Sequence, residues 1–146
     1  MKKREILIRR TGANVPQYAT PRSAGADVYA LEDCLLLPGE RKLIHTGIYM
    51  QLPEDVEVQV RPRSGLALKH GITVLNSPGT IDSDYQGECN VILINHGKER
   101  FWIQAGERIA QFVFVEGVIQ ADFKQVDEFT ETTQRGEGGF GHTGNL

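Results

Sequence analysis

A chain of 146 residues with a net charge of −3 has the length of one ordinary domain and lacks the basic excess of a general nucleic-acid binder. Hydrophobic residues make up 40% of the chain, which is enough for one core. The N-terminal run MKKREILIRR has no signal-peptide core, and no segment approaches membrane-spanning length. These features predict a cytoplasmic protein that binds neither nucleic acid nor membranes.

Short β runs separated by turn signals follow one another along the chain. Val56, Val58 and Val60 alternate with polar residues, as in a strand with one buried face. Many short strands joined by turns are typical of a sandwich or a barrel, so the sequence predicts an all-β fold. The predicted strands are residues 5–9, 26–30, 41–52, 56–60, 91–95, 101–104 and 108–115.

One segment, SGLALKH at residues 64–70, predicts a short helix. Helix-forming residues lie inside it, Ser64 is the candidate N-cap, and Gly71 stands where a C-terminal cap belongs.

The composition changes from about Asp127, which predicts a domain at residues 1–126 followed by a C-terminal arm at 127–146. The arm is polar and then rich in glycine, so it should be mobile by itself. It is either a tail without a role or a lid that orders over a phosphorylated ligand, because Arg135 can pair with phosphate and Phe140 can stack on a ring.

Cys34 and Cys89 match neither a metal-binding nor a redox spacing. They are expected to be reduced thiols in a reducing compartment.

The run GTIDSDYQGE at residues 79–88 concentrates two carboxylates and an aromatic ring between turn-forming glycines. Asp82 and Asp84 alternate, so in an extended chain only one of them faces a given pocket. A pocket carboxylate near phosphates can act as a general base on water, or can help to hold a metal ion. Tyr85 reaches the same ligand if the turn carries it there. The alternative is a polar hairpin with a tyrosine in the core.

Three other segments each carry a weaker signal. Arg63 and Ser64 in RPRSG suit a phosphate site at the helix start, although surface arginines are common there. In GERIAQ, Arg108 and Gln111 point to opposite faces of a strand unless a turn or bulge reorients one. Asp27, in AGAD, either orients metal-bound water or finishes a turn.

Five segments span nearly the whole chain: AGADVYA at 24–30, RPRSGLA at 61–67, LNSPGTIDSDYQGE at 75–88, GERIAQ at 106–111 and RGEGGFGHTG at 135–144. In this order and combination they closely resemble the trimeric dUTP pyrophosphatase (dUTPase) family.

The resemblance implies a distorted jelly-roll barrel or sandwich with one short helix and a mobile glycine-rich C-terminal arm, assembled as a homotrimer. Three active sites would lie at subunit interfaces, and the arm of one subunit would complete a neighbour's site. The implied reaction is hydrolysis of dUTP to dUMP and pyrophosphate with Mg²⁺, which keeps uracil out of DNA and supplies dUMP for thymidylate synthesis.

The resemblance also implies roles for individual residues. Asp82 would be the general base for the water that attacks the α-phosphorus, and Asp27 would hold the metal indirectly, through water. The substrate-binding residues would be Arg63, Ser64, Gly65, Asn76, Gly79, Ile81, Tyr85, Gln111, Arg135, Phe140, Gly141 and Thr143.

Within that set, the resemblance assigns particular residues to each part of the nucleotide. Arg63 and the two residues after it would meet the α- and β-phosphates, and Arg135 would meet the γ-phosphate. Asn76 with nearby backbone groups would pair with the uracil edge, and Phe140 would stack over it. Tyr85 would pack on the deoxyribose and leave no room for a 2′-hydroxyl.

Two rival functions remain open at this point. A dCTP deaminase shares the fold but places a glutamate on the strand after the hairpin, where this chain reads CNVILI. A binding-only relative would have no need of Asp82.

In the arm, Glu137 and His142 replace small serines that are frequent in the family.

Overall fold

The computed structural model describes residues 1–12 and 14–145, and these ranges contain eleven strands and one helix. The elements are β1 (Leu7–Arg10), β2 (Ala26–Tyr29), β3 (Cys34–Leu36), β4 (Arg41–Ile44), β5 (Ile48–Gln51), β6 (Val56–Arg61), α1 (Ser64–His70), β7 (Ile72–Val74), β8 (Gly79–Ile81), β9 (Val91–Asn95), β10 (Phe101–Ile103) and β11 (Arg108–Glu116). The predicted all-β class with one short helix is confirmed.

Two antiparallel sheets enclose most of the core. One has the strand order β2-β11-β6-β8 and the other the order β4-β9-β7, while β1 pairs with β5 and β10 pairs with β3. The valines of β6 are buried and its polar residues are not, as the alternation predicts. Val28, Val58, Val91, Leu93 and Phe112 are fully buried between the sheets. Burial of alternate residues on many short strands therefore supplies the core.

The predicted strand at residues 41–52 is wrong as a single element, because the chain changes sheets within it. β4 pairs with β9, whereas β5 pairs with β1. Gly47 between them has a φ of 67°, which a strand residue does not adopt. The Thr46 hydroxyl donates to Cys89 O at 2.7 Å and so fixes the break.

Strands β3, β7 and β8 were not predicted. Each has three residues, which is too short for a recognisable alternation of polar and apolar side chains.

The helix has its predicted bounds, but its predicted N-cap is wrong. Arg63 is the N-cap residue and makes no side-chain capping hydrogen bond, while Ser64 is already the first helical residue. Gly71 caps the C-terminus with a φ of 68°, as predicted, and its N–H bonds to Ala67 O.

After β11 the chain is almost entirely exposed and, through residue 145, forms neither strand nor helix. This irregular stretch begins at Gly117, ahead of the predicted arm boundary at Asp127, and the domain division stays a prediction. Leu146, the last residue of the predicted arm, lies outside the described residues.

Both cysteines are free thiols, and burial raises the pKa of Cys89 to about 11. Among the described residues, no helix combines the length and apolar character needed to cross a membrane.

Candidate active site

A cavity of about 290 Å³ lies beside β8 and contains the predicted hairpin residues. Asn76, Gly79, Ile81, Asp82 and Tyr85 all line it. The chain turns directly after β8, where Tyr85 N–H bonds to Asp82 O at 3.2 Å. Since Asp82 lines the cavity and Asp84 does not, only one of the two carboxylates faces it, as their alternation predicts.

Tyr85 is held at the cavity by the backbone that follows it. Its hydroxyl donates to Glu88 O at 2.9 Å, and its ring lies so close to Gly87 that a Cβ there would collide with the ring and hydroxyl. The residue stays 46% exposed, so the alternative of a core tyrosine is wrong. One face of the ring is therefore available to a ligand.

Gly79 lets the asparagine of this hairpin approach the sheet. A Cβ at this position would meet Asn76 Nδ2 and Val60 Cβ, each at 3.2 Å. The absence of a side chain at residue 79 therefore sets where the amide of Asn76 lies.

A second group of predicted residues surrounds Asp27, which is 5% exposed. Arg108 Nε lies 3.5 Å from Asp27 Oδ2, and Arg63 Nε lies 3.9 Å from Oδ1. Arg63 Nη1 also donates to Arg108 O at 3.0 Å. Since Asp27 is inside β2, the alternative that it finishes a turn is wrong. The carboxylate instead orients two cations on neighbouring elements.

A bulge in β11 brings the two polar residues of GERIAQ to this group. Gln111 is directly opposite Asp27 in the register, and the register shifts between Arg108 and Ala110. The shift removes the strict alternation that would have put Arg108 and Gln111 on opposite faces.

Gly25 is a member of this group that the sequence reasoning did not single out. A Cβ there would lie 2.7 Å from Gln111 Oε1 and 3.0 Å from Gln111 Cβ. The glycine in AGAD is the signal, since glycine permits such a close approach.

Ser64 and Gly65 are the first two residues of α1, next to Arg63. Both are exposed, and the Cβ position of Gly65 has no neighbouring atom within 4 Å in the described structure. The segment therefore leaves open space next to Arg63, which with Arg108 forms the pair of arginines at Asp27.

Strand β8 runs antiparallel to β6, so Asp82 at its end lies away from the group formed by Asp27, Arg63 and Arg108, although Gly79 at its start pairs with Val60 near that group. Ile81, just before Asp82, pairs with Val58, whereas Arg63 lies beyond the far end of the strand. The distance from Val58 to Arg63 along an extended chain is roughly 15 Å. One chain therefore does not bring Asp82 to its own arginine pair.

The arm residues join neither group. Phe140 is fully exposed, and Arg135 Nε donates to Gly138 O at 2.7 Å within the arm. Gly141 and Thr143 are also exposed, and no hydrogen bond or ion pair of the described residues ties the arm to the cavity. His142 lies against Gly138, where a Cβ would collide with its ring.

Sequence reasoning missed a hydrogen-bonded histidine–glutamate pair at the base of the hairpin. His45 Nδ1 lies 2.9 Å from Glu88 Oε2, and Glu88 Oε1 accepts from Gly47 N–H at 2.8 Å. The hydrogen bond and charge of Glu88 raise the pKa of His45. Burial by itself raises the pKa of Glu88, but the bonds from His45 and Gly47 lower it overall. Because the partners are far apart in the chain, no local pattern revealed them.

The dUTPase family model matches residues 11–144. The deoxyuridine 5′-triphosphate nucleotidohydrolase of Chlamydia pneumoniae is 60% identical over 136 residues, which cover 92% of this chain and 93% of that protein.

The chain belongs to the dUTPase family.

It is accordingly a hydrolase that converts dUTP to dUMP and pyrophosphate, as predicted. The deaminase and binding-only alternatives are set aside by the same match.

Solved dUTPase structures share the fold. The dUTPase of Staphylococcus bacteriophage 80alpha, solved with dUpNHpp, has a TM-score of 0.89 at 26% identity and covers 97% of this chain and 99% of its own. This likeness confirms the predicted jelly roll. A dUTPase mutant from phage phi11 of S. aureus, described with a structural Mg(II) ion, has a TM-score of 0.80 at 23% identity over 88% of this chain and all of its own, which shows the fold alone.

Proposed function

We propose that this dUTPase acts as a homotrimer whose active sites combine residues from different subunits. One subunit supplies the hairpin cavity with Asp82, a second supplies the Asp27 group, and an arm closes the site. The observation that supports this is the separation of Asp82 from Arg63 along β6, since a single triphosphate ligand needs both the base and the cations.

In this proposal Asp82 removes a proton from the water that attacks the α-phosphorus. The carboxylate lies on the cavity wall just after β8, where a buried residue, Ile81, fixes the backbone. A base held by a strand end needs little reorganisation when the substrate binds.

The cations of the site hold the triphosphate. Arg63 is oriented by Asp27 and by Arg108 O, and its guanidinium is suited to the α- and β-phosphates together with Ser64 and Gly65. Gln111 adds an uncharged contact from β11. From the arm, Arg135 meets the γ-phosphate.

The donor set fits Mg²⁺ that is held mostly by the substrate. Among the residues that the structure covers, no three His, Cys, Asp or Glu side chains form a metal-binding group. Mg²⁺ usually keeps several waters and takes one or two carboxylates together with phosphate oxygens. Asp27, a single buried carboxylate beside two arginines, suits the proposed role of holding a metal-bound water. When bound, Mg²⁺ would neutralise phosphate charge and orient the chain of phosphates.

The hairpin is proposed to select the nucleoside. Asn76 and the backbone at Gly79 and Ile81 pair with the uracil edge, and cytosine would leave these groups unpaired. Tyr85 packs on the deoxyribose, where its fixed ring excludes a 2′-hydroxyl. Phe140 then stacks over the base, and Gly141 and Thr143 contact phosphate as the arm closes.

A cytoplasmic location is part of the proposal. The two free cysteines, one of them buried with a raised pKa, suit a reducing compartment.

Asp82→Asn tests the catalytic assignment, because it keeps the shape of the side chain and removes the base. We expect pyrophosphate release from dUTP to fall by roughly 10²–10⁴-fold, while calorimetry still detects dUTP binding. Asp84→Asn, in the same turn but outside the cavity, is the control and should keep normal turnover. Near-normal turnover of Asp82→Asn would exclude Asp82 as the base.

A further inference from the structure

The position of Tyr85 depends on two residues that follow it. Its ring rests against Gly87, and its hydroxyl donates to the carbonyl oxygen of Glu88 at 2.9 Å. A shift of the backbone at residues 87–88 therefore moves the ring, because the ring packs against Gly87 and the hydroxyl is bonded to the Glu88 carbonyl oxygen.

The Glu88 side chain ties this backbone to the turn between β4 and β5. Oε1 accepts from Gly47 N–H at 2.8 Å, and Oε2 lies 2.9 Å from His45 Nδ1. The Glu88 side chain is 18% exposed, so water competes weakly for its oxygens. Two hydrogen bonds from separate residues leave the carboxylate one orientation.

Main-chain bonds connect the same two segments on either side of this carboxylate. Cys89 N–H donates to Ile48 O at 2.7 Å, and the Thr46 hydroxyl donates to Cys89 O at the same distance. Tyr49 and Glu88 also form an isolated antiparallel bridge. The turn at residues 45–47 is thus a fixed support for the hairpin, and Glu88 is the residue whose side chain reaches it.

We propose that Glu88 is a positioning residue that holds the Tyr85 ring through its own backbone carbonyl and so sets the preference for dUTP over UTP. This inference rests on the proposed function, in which Tyr85 packs on the deoxyribose. Glu88 contacts neither the phosphates nor the attacking water in that scheme, so it acts on nucleotide recognition and not on the chemical step.

The test compares Glu88→Ala with Glu88→Gln in the full-length protein, using dUTP and UTP as substrates. Glu88→Ala loses both hydrogen bonds, so we expect KM for dUTP to rise about tenfold with kcat within a few-fold, and the dUTP preference to fall by a similar factor. In Glu88→Gln the new amide can still accept from Gly47 N–H and donate to neutral His45. This variant should therefore keep a KM for dUTP and a dUTP preference close to those of the unaltered enzyme. Glu54→Gln, exposed in the turn before β6, is the matched control.

Tyr85→Phe gives a second route to the same answer without altering Glu88. It removes only the hydroxyl that donates to Glu88 O, so it should also weaken the dUTP preference, and its effect should not add to that of Glu88→Ala. Unchanged KM and preference in both variants would overturn the inference.

Tyr85→Ala separates this inference from the proposed function. If Tyr85→Ala leaves the dUTP preference unchanged, the assignment of Tyr85 to the deoxyribose is wrong. If Tyr85→Ala lowers the preference and neither Glu88→Ala nor Tyr85→Phe does, the positioning role of Glu88 alone is wrong.

Discussion

Gly25 and Gln111 show how closely the residues around Asp27 are packed. The Gln111 side chain occupies the space that a Cβ at Gly25 would need. In the proposed site Gln111 contacts phosphate, so a small change at residue 25 should act on substrate binding.

We predict that Gly25→Ala displaces the Gln111 side chain and raises KM for dUTP by about tenfold, since one hydrogen bond to a charged group is lost. Steady-state pyrophosphate release at varied dUTP concentration measures this KM. Ala24→Ser, one residue earlier and exposed, should behave like the unaltered enzyme. A normal KM for Gly25→Ala would show that Gln111 can move without loss of a phosphate contact.

At the scale of elements, two glycines join the helix to the sheet. The C-cap residue Gly71 lies against Gly97 in the turn after β9, where a Cβ on Gly71 would be 2.6 Å from Gly97 N. His96 N–H donates to Gly71 O at 2.8 Å across the same contact. The end of α1 is therefore held by backbone packing, which orients the segment that begins with Arg63.

Both Gly71 and Gly39 have a left-handed backbone, with φ of 68° and 77°. An alanine at residue 71 would also collide with Gly97, whereas the Cβ of an alanine at residue 39 would have no neighbour within 4 Å. We expect Gly39→Ala to lower the free energy of unfolding by about 1 kcal/mol and Gly71→Ala by at least about 2 kcal/mol. Urea denaturation of both variants checks the difference. Equal losses would mean that the close contact with Gly97 contributes nothing.

At the scale of the whole molecule, the separation of Asp82 from Arg63 leads to a complementation test. Asp82→Asn and Arg63→Ala should each be nearly inactive when refolded alone. If sites are shared, refolding an equal mixture should recover activity in about one quarter of the sites, those that take Asp82 from one variant and Arg63 from the other. If mass spectrometry detects mixed assemblies and activity is still not recovered, Asp82 and Arg63 of one site must lie on the same chain.

Prediction from the sequence succeeded where the signal is local. The bounds of α1 and its glycine C-cap follow from a few adjacent residues, and so does the alternation by which only one of Asp82 and Asp84 faces the cavity. The predicted Ser64 cap failed because the turn that starts the helix places Arg63 at that position. The exchange of sheets at Gly47 was missed because strand partners are chosen by contacts distant in the chain.

The sequence by itself determined the all-β class, the helix and the motifs that mark a dUTPase, because turn glycines, alternating valines and a few reactive side chains are read locally. Only the tertiary structure decided that Arg63 and Arg108 converge on Asp27, that a bulge aligns Gln111 with them, and that Glu88 binds the turn at residue 47. These contacts join residues far apart in sequence, and their existence depends on strand register and burial that no short pattern encodes.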